Sequence, residues 1–421
     1  MSIGSALQAG VSGLRSLSTK LATISDNIAN SATVGYKRYD TQFSSLVLGE
    51  GGGSSFSAGG TLSNVRTEIS KAGTIIGGGD VTDLAISGDG FFTVRSNATS
   101  GDFAFTRAGS FRPDASGALR NTAGNYLQGF ALAPDGSYAN GAPTFTSFDS
   151  LETINIASIT GTGRPSTELS FTGNVPQNAA GPFETAVQIF DAFGAPQDLT
   201  LNWVNAGPNQ WDLEIYEGPV AGLPQATLGN IDFNGGTPGA PDYGAAALGG
   251  TAAALNPVDG TFDITLTNGQ VVTVSTGAEG DFRGVTQFAG DYLAETIADG
   301  APLGQLQNLD VDENGVMIAI FDNGERRPVF EIPLADVTNP NGLKPEDGNV
   351  FTLSADSGAF RLQGANSQGL GQINAGALEA ANVDIAEELT SLIETQRAYS
   401  SNATVVRTAD EMLEEVTRLK R

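Results

Sequence analysis

Along the start of the chain, apolar or small residues recur at alternating spacings of four and three: Ile3, Leu7, Gly10, Leu14, Leu17, Leu21, Ile24 and Ile28. Two such positions per heptad make a narrow stripe. It suits a coiled-coil seam against another helix better than the wide face that docks on a globular core. The pattern predicts a helix over about residues 2–29, ~40 Å long at 1.5 Å per residue. Its partner is sought at the opposite terminus, where Ile385, Leu389, Leu392, Tyr399, Ala403, Val406 and Leu413 repeat the spacing. Gln396, Asp410 and Thr417 interrupt that second seam, either to fix its register or because they face a solvated surface. Asn382 is the expected N-cap of the second helix. Asp384, Glu387 and Glu388 at its start and Arg418, Lys420 and Arg421 at its end complement the helix dipole.

Gly4, Gly10 and Gly13 fall in the opening turns of the first helix. Each costs roughly 1 kcal/mol relative to alanine. The helix is therefore expected to be marginal alone and to become ordered when neighbouring seams bury it. The alternative is an ordinary amphipathic helix docked on its own domain.

Between the helices the period changes to two. Asp83 to Val94 reads as two short strands around a Ser-Gly-Asp-Gly turn, with Leu84, Ile86, Phe92 and Val94 as core candidates. Alternation continues through Phe103 and Phe105, Arg107 to Phe111, and Tyr126 to Phe130. A Thr/Gly-rich bridge follows at Leu151 to Pro165. Beyond it, Val187 and Ile189 face Leu199, Leu201 and Trp203, and Trp211, Leu213 and Ile215 extend the pattern. The strongest hairpin signal is Asn268-Gly269 between Phe262, Ile264, Leu266 and Val272, Val274. Ala221 to Pro257, rich in Gly, Ala and Pro, reads as loop or a poorly specified edge, and Gly49–Gly60 and Ser357–Gly376 read as flexible connectors.

Composition narrows the chemistry. With no cysteine and no histidine, the chain has no thiol nucleophile, no Ser-His triad and no His-containing zinc site. A formal net charge of −26 repels nucleic-acid phosphates and anionic membranes, so neither is an expected partner. No apolar run approaches the ~20 residues that span a bilayer. Met1 to Gly13 also lacks the basic and apolar regions of a cleavable secretory signal. Asp310, Asp312, Asn314 and Gly315 match the first half of a calcium loop, but Phe321 stands where a bidentate carboxylate is needed, so a hairpin turn is expected and no metal. A carboxylate-pair hydrolase is the enzymatic alternative, yet no Asp/Glu pair sits in a recognisable motif. No cofactor and no catalytic role are expected.

Three stretches carry a resemblance. Ser25 to Arg38 reads S-D-N-I-A-N-S-A-T-V-G-Y-K-R, with Asn30 and Gly35 expected to end the helix because both tolerate positive φ. Asp83 to Phe92 reads D-L-A-I-S-G-D-G-F-F. Leu378-Glu379, Asn382-Val383-Asp384, Gln396-Arg397-Ala398-Tyr399 and Asn402-Ala403 form the third. Together they resemble the signatures of the bacterial flagellar rod and hook family. That resemblance implies an α+β, mainly β chain, whose terminal helices form a coiled-coil layer with two nested antiparallel β domains between them. It divides the chain into a helical assembly domain (1–35, 377–421), an extended connector (36–75, 358–376), a first β domain (76–150, 303–357) and an inserted second one (151–302).

The role implied is a hook subunit, favoured by the inserted domain over a distal rod or hook-associated junction protein. It would polymerise into a curved, flexible tube that transmits motor torque and forms part of the export channel. The assembly interface would include the two seams (Ile3, Leu7, Leu14, Leu17, Leu21, Ile24, Ile28; Ile385, Leu389, Leu392, Tyr399, Val406, Leu413) and the signature residues Asn27, Asn30, Gly35, Tyr36, Gln396, Arg397 and Asn402. Implied partners are further copies of itself, the rod, hook cap and hook-filament junction proteins, and the flagellar type III export apparatus. The location would be extracellular, reached without a cleavable signal.

Overall fold

The computed structural model describes residues 3–47, 58–161, 163–177 and 179–419, with side chains from residue 7 onward except those of 47, 58, 59, 416 and 419. Helices α1 (Ile3–Ala29) and α2 (Ile385–Leu419) stand at the two ends, and the elements between them are strands and two short 3-10 turns. No described helix is long and apolar enough to cross a membrane. The chain forms two compact units, one of Met1–Ile159, Leu309–Ala319 and Arg327–Arg421, the other of Thr160–Asn308 and Ile320–Arg326.

In the first unit α1 packs against α2. A Cβ added to Gly10 would lie 2.7 Å from Val406 Cγ2, and one on Gly13 would lie 2.8 Å from Asn402 Nδ2. Ascending positions on one helix meet descending ones on the other, so the pair is antiparallel. Gly10 and Gly13, two of the glycines that weaken α1 as an isolated helix, are thus points of close approach to α2. Gly10→Leu is expected to push the helices apart at an overpacking cost of ~1–3 kcal/mol. Val406→Ala on that background should recover part of the loss, read as the amide-exchange rate across α1.

The predicted extended connector at 36–75 instead holds a hairpin, β1 (Tyr39–Val47) and β2 (Ala58–Thr67), in antiparallel register with Tyr39 opposite Thr67. It lies along α1 through polar contacts. Thr61 N donates to Ser12 Oγ (3.1 Å), Ser16 Oγ donates to Thr61 O (3.3 Å), and the Thr23 and Thr41 hydroxyls are 2.8 Å apart. An isolated two-stranded hairpin is marginal, so docking on α1 supplies what a third strand would. Of the predicted Gly49–Gly60 connector, residues 49–57 lie outside the described residues, and Ala58 to Gly60 belong to β2.

The body of this unit is a sheet in which Phe91–Arg95 pairs with Phe103–Thr106, Tyr126–Ala131 and Leu334–Val337. Phe91, Phe105, Phe130, Phe351 and Leu362 fill its core. Leu84, Ile86, Phe92 and Val94 are all buried as expected, but so are the intervening Ala85, Phe91 and Thr93, so these strands are covered on both faces. The two strands around the Ser-Gly-Asp-Gly turn do not pair with each other, because Leu84–Ser87 pairs with Gln372–Ala375. Gly88 and Gly90, at φ +119° and +115°, turn the chain between those two sheets. Ser357–Gly376 is therefore no connector. Phe360–Gln363 and Gln372–Ala375 are strands of this body, anchored by buried Leu362 and Ile373. The calcium-like run is a hairpin turn, with Asp312 Oδ1 accepting from the N–H of Asn314 (3.0 Å) and Val316 (2.8 Å). Among the described residues no cluster of three acidic side chains could hold a metal.

The second unit packs two sheets face to face. One is an antiparallel meander from Phe183–Phe190 through Pro196–Gly207, Gln210–Glu217 and Ala226–Asp232 to Ala247–Gly250. The other centres on Glu168–Asn174. Phe171, Trp203, Trp211, Leu213, Phe262 and Ile264 are fully or almost fully buried between them. The Asn268-Gly269 hairpin forms with Ile264 opposite Val272, and Gly269 at φ +87°. Two expectations are corrected here. The second sheet is mixed, since Glu168–Asn174 runs parallel to Val271–Ser275 and Val285–Thr286. The meander intervenes between the first strand and the Asn-Gly hairpin and acts as a long crossover, which is what parallel pairing requires. Ala221 to Pro257 is also more than loop, because Ala226–Asp232 buries Ala226, Leu228 and Ile231.

Candidate assembly interface

Asn27, the last buried residue of α1, is wholly enclosed and holds the chain as it leaves the helix. Its Oδ1 accepts from Tyr39 N (2.9 Å) and the Tyr36 hydroxyl (3.2 Å), and its Nδ2 donates to Tyr39 O (2.8 Å). Every polar atom of that buried amide oxygen and nitrogen pair is thereby engaged with one short segment. Burial pushes the Tyr36 phenol up, with Tyr39 and the acids nearby adding to the shift. Asn30 does not take the positive φ expected of it; its Nδ2 donates to Asp26 O (2.9 Å) and closes the helix end that way. Gly35 does take it, at φ +69°, and a Cβ there would lie 2.5 Å from Ala108 N.

From Gly35 onward the N-terminal signature is clasped by the C-terminal one. Gly35 N donates to Glu379 O (2.8 Å). The Glu379 carboxylate accepts from Lys37 Nζ (2.7 Å) and Gly73 N (2.8 Å) on one oxygen and from Arg107 Nη1 (3.0 Å) on the other. All three charged side chains are buried. Arg107 also donates to Gly88 O (2.9 Å) and lies over the Phe91 ring. One step further, Arg38 N donates to Asn382 Oδ1 (2.7 Å), while Asn382 Nδ2 reaches the carbonyls of Glu68 and Lys71, both at 3.0 Å. Arg38 Nε pairs with buried Glu388. Asn382 is therefore a bridge, and the N-cap of α2 is Asp384, whose Oδ1 accepts from Ala386 N (2.8 Å).

Burial alone would push the Glu379 carboxyl up, but Arg107 and Lys37 outweigh it and hold its pKa below the usual carboxylate value. A carboxylate depressed in the folded state binds fewer protons there than in the unfolded chain. Its contribution is thus present above the unfolded carboxylate range and is lost as the pH falls from that range through the lowered folded value. Acid titration should loosen this clasp, with protection of the Gly35 amide, relative to its intrinsic exchange rate, falling below about pH 4.

The sequence-predicted seam residues divide into inner and outer sets. On α1, Ile24 is buried, Leu7, Leu14, Leu17, Leu21 and Ile28 are half-buried, and Ile3 begins the helix with its side chain outside the described residues. On α2, Leu392, Asn402 and Val406 are half-buried, whereas Ile385 (50 % exposed), Leu389 (47 %), Tyr399 and Leu413 face outward with Gln396 and Arg397. The buried edge of α2 is instead Glu388, Leu392, Thr395, Asn402, Val406 and Ala409, which is rich in polar and small residues. The interrupting Gln396, Asp410 and Thr417 are exposed. Ile393, at 51 % exposure one turn beyond Leu389, extends an apolar strip that the described residues leave uncovered.

Sequence reasoning missed Lys37, Arg38, Arg107 and Glu388 as members of this junction. The adjacent Lys37-Arg38 pair just past a helix end is a detectable signal in so acidic a chain, but its buried acidic partners, Glu379 and Glu388, lie hundreds of residues away.

Comparison with known proteins covers the same segments. Residues 7–37 match the family model for the flagella basal body rod protein, and 85–175 match the flagellar hook protein FlgE/F/G D1 domain. Residues 164–341 match the flagellar basal body protein FlaE D2 domain, and 374–419 the C-terminal model of the flagellar basal body rod FlgEFG proteins. The chain is 35 % identical to the flagellar hook protein FlgE of Brucella suis and 36 % identical to that of Rhizobium meliloti, with 100 % of each chain covered in both pairs. Against the Escherichia coli hook protein identity is 28 %, covering 99 % of this chain and 100 % of that one. The clasp thus joins the two family signatures to each other, and the chain belongs to the flagellar hook protein FlgE family.

Proposed function

We propose that this structural subunit of the bacterial flagellar hook polymerises through the outer faces of α1 and α2. The observation that carries the reading is the uncovered strip Ile385, Leu389 and Ile393 on a helix whose inner edge is rich in small and polar residues. Apolar surface at that spacing is stable when a second helix face covers it, and the occupant is another copy of this chain. A contact between different patches on successive copies that does not close into a ring propagates as a helical filament. In this reading the helices form a coiled-coil inner layer that bounds part of the export channel, and the two β units lie outside as nested domains. The tube is curved and flexible, and it transmits motor torque to the filament because outer contacts can shift between near-equal packings.

Its neighbours at the ends are rod, hook cap and hook-filament junction proteins. The subunit reaches the cell exterior through the flagellar type III export apparatus. Electron microscopy of the concentrated purified protein is expected to reveal tubular filaments of uniform diameter. A monomer that persists at every concentration and ionic strength would overturn the reading.

A further inference from the structure

We propose that Glu379 is a lock that closes both ends of the chain in one step, so that the segment leaving α1 becomes ordered only when the C-terminal segment is in place. Its carboxylate touches three stretches that are remote from one another: Lys37 beyond α1, Gly73 beyond the hairpin, and Arg107 in the sheet body. Its main chain adds a fourth tie, the N–H of Gly35, and a strand pairing with Ile75. Lys37, Arg107 and Glu379 all have side chains no more than 3 % exposed. The remaining acceptors around the two cations are the carbonyls of Lys71 and Gly88, which carry no full charge. Before Glu379 arrives, closing the site would bury two like charges with no counter-ion, and a buried charge without its partner strongly disfavours the closed form.

Asn382 and Glu388, which tie down Arg38, lie later still in the chain. In a chain that emerges N-terminus first, the lock therefore cannot close before residues 379–388 have emerged. On the hook reading, this delays anchoring of α1 until the C-terminal signature has been delivered.

The test is hydrogen exchange on the full-length monomer, comparing the unaltered chain with Glu379→Gln and with the double variant Lys37→Met/Glu379→Gln. Glu379→Gln should accelerate exchange at least about tenfold at Gly35, at Tyr39 and in Ile75–Gly77 together, leaving strand Gln210–Glu217 of the other unit unchanged. Adding Lys37→Met removes one of the two stranded cations and should restore part of that protection. If Glu379→Gln does not fold, the double variant alone is read against the unaltered chain for the same joint pattern. Faster exchange confined to Gly73, whose N–H bonds the carboxylate directly, with Gly35 and Tyr39 unchanged, would overturn the proposal. Polymerisation is not needed for the readout, so failure here leaves the hook reading untouched.

Discussion

Leu389→Asp combined with Ile393→Asp will yield a folded monomer that no longer polymerises. Both side chains are about half exposed in the single chain and sit one turn apart on one face of α2. Exposed substitutions of this kind usually move stability by no more than about 0.5 kcal/mol each. In a filament the same positions would be covered by another copy. Losing two buried apolar side chains forfeits roughly 3 kcal/mol per subunit contact, before the cost of burying two carboxylates. At ~1.4 kcal/mol per tenfold, the critical concentration rises at least ~100-fold. Sedimentation should find only monomer, and circular dichroism of the monomer should match the unaltered chain. Filaments at an unchanged critical concentration would remove the outer strip of α2 from the interface.

Gly35→Ala will destabilise the first unit far more than an ordinary Gly to Ala change. The residue occupies a left-handed backbone conformation, which costs an L side chain about 1–2 kcal/mol. Its Cβ would also meet main-chain atoms: Ala108 N at 2.5 Å, and Ala108 Cα and Arg107 C at 2.7 Å. Those atoms cannot swing aside as a side-chain end can. Relief requires moving the loop that carries Arg107 away from Glu379, so strain at position 35 also opens the buried charge cluster. A loss of ~3 kcal/mol or more is expected, seen as a lowered urea midpoint for the first unit with the second unit's transition unchanged. An unaltered first transition would contradict the close approach of Gly35 to Ala108.

Which parts of the fold were legible follows from where the information sits. Helix α1, the Asn268-Gly269 hairpin and the Trp203 and Trp211 strands are encoded by local period and turn chemistry, and all of them form. On α2 the apolar repeat is only partly a guide to the inner face: Leu392 and Val406 turn inward, Ile385 and Leu389 do not, and Glu388, Thr395 and Ala409 complete the buried edge. Apolar residues mark a buried face only relative to the assembled state, and half of this stripe is unpaired in a single chain. Strands β1 and β2 carry no apolar alternation for a related reason. Their docking contacts are hydroxyls, Thr41 and Thr61 against Thr23, Ser12 and Ser16, so neither strand shows an apolar inner face.

The clasp was legible only as two separate signatures. Lys37 and Glu379 are 342 positions apart, and nothing local in either stretch says that they meet. The family resemblance pointed to both segments without pairing them. Their pairing reassigns Asn382 from helix cap to bridge and Glu388 from dipole partner to buried counter-ion for Arg38.

The central claim is that α2 presents its apolar strip to other copies of the chain. A helical reconstruction of the polymer at side-chain resolution tests it most directly. The account predicts that Ile385, Leu389 and Ile393 lie against α1 or α2 of neighbouring subunits, with Gly10 and Gly13 still seated on Val406 and Asn402 of their own chain. A tube in which that strip faces water, or in which the subunits touch only through their β units, would contradict it.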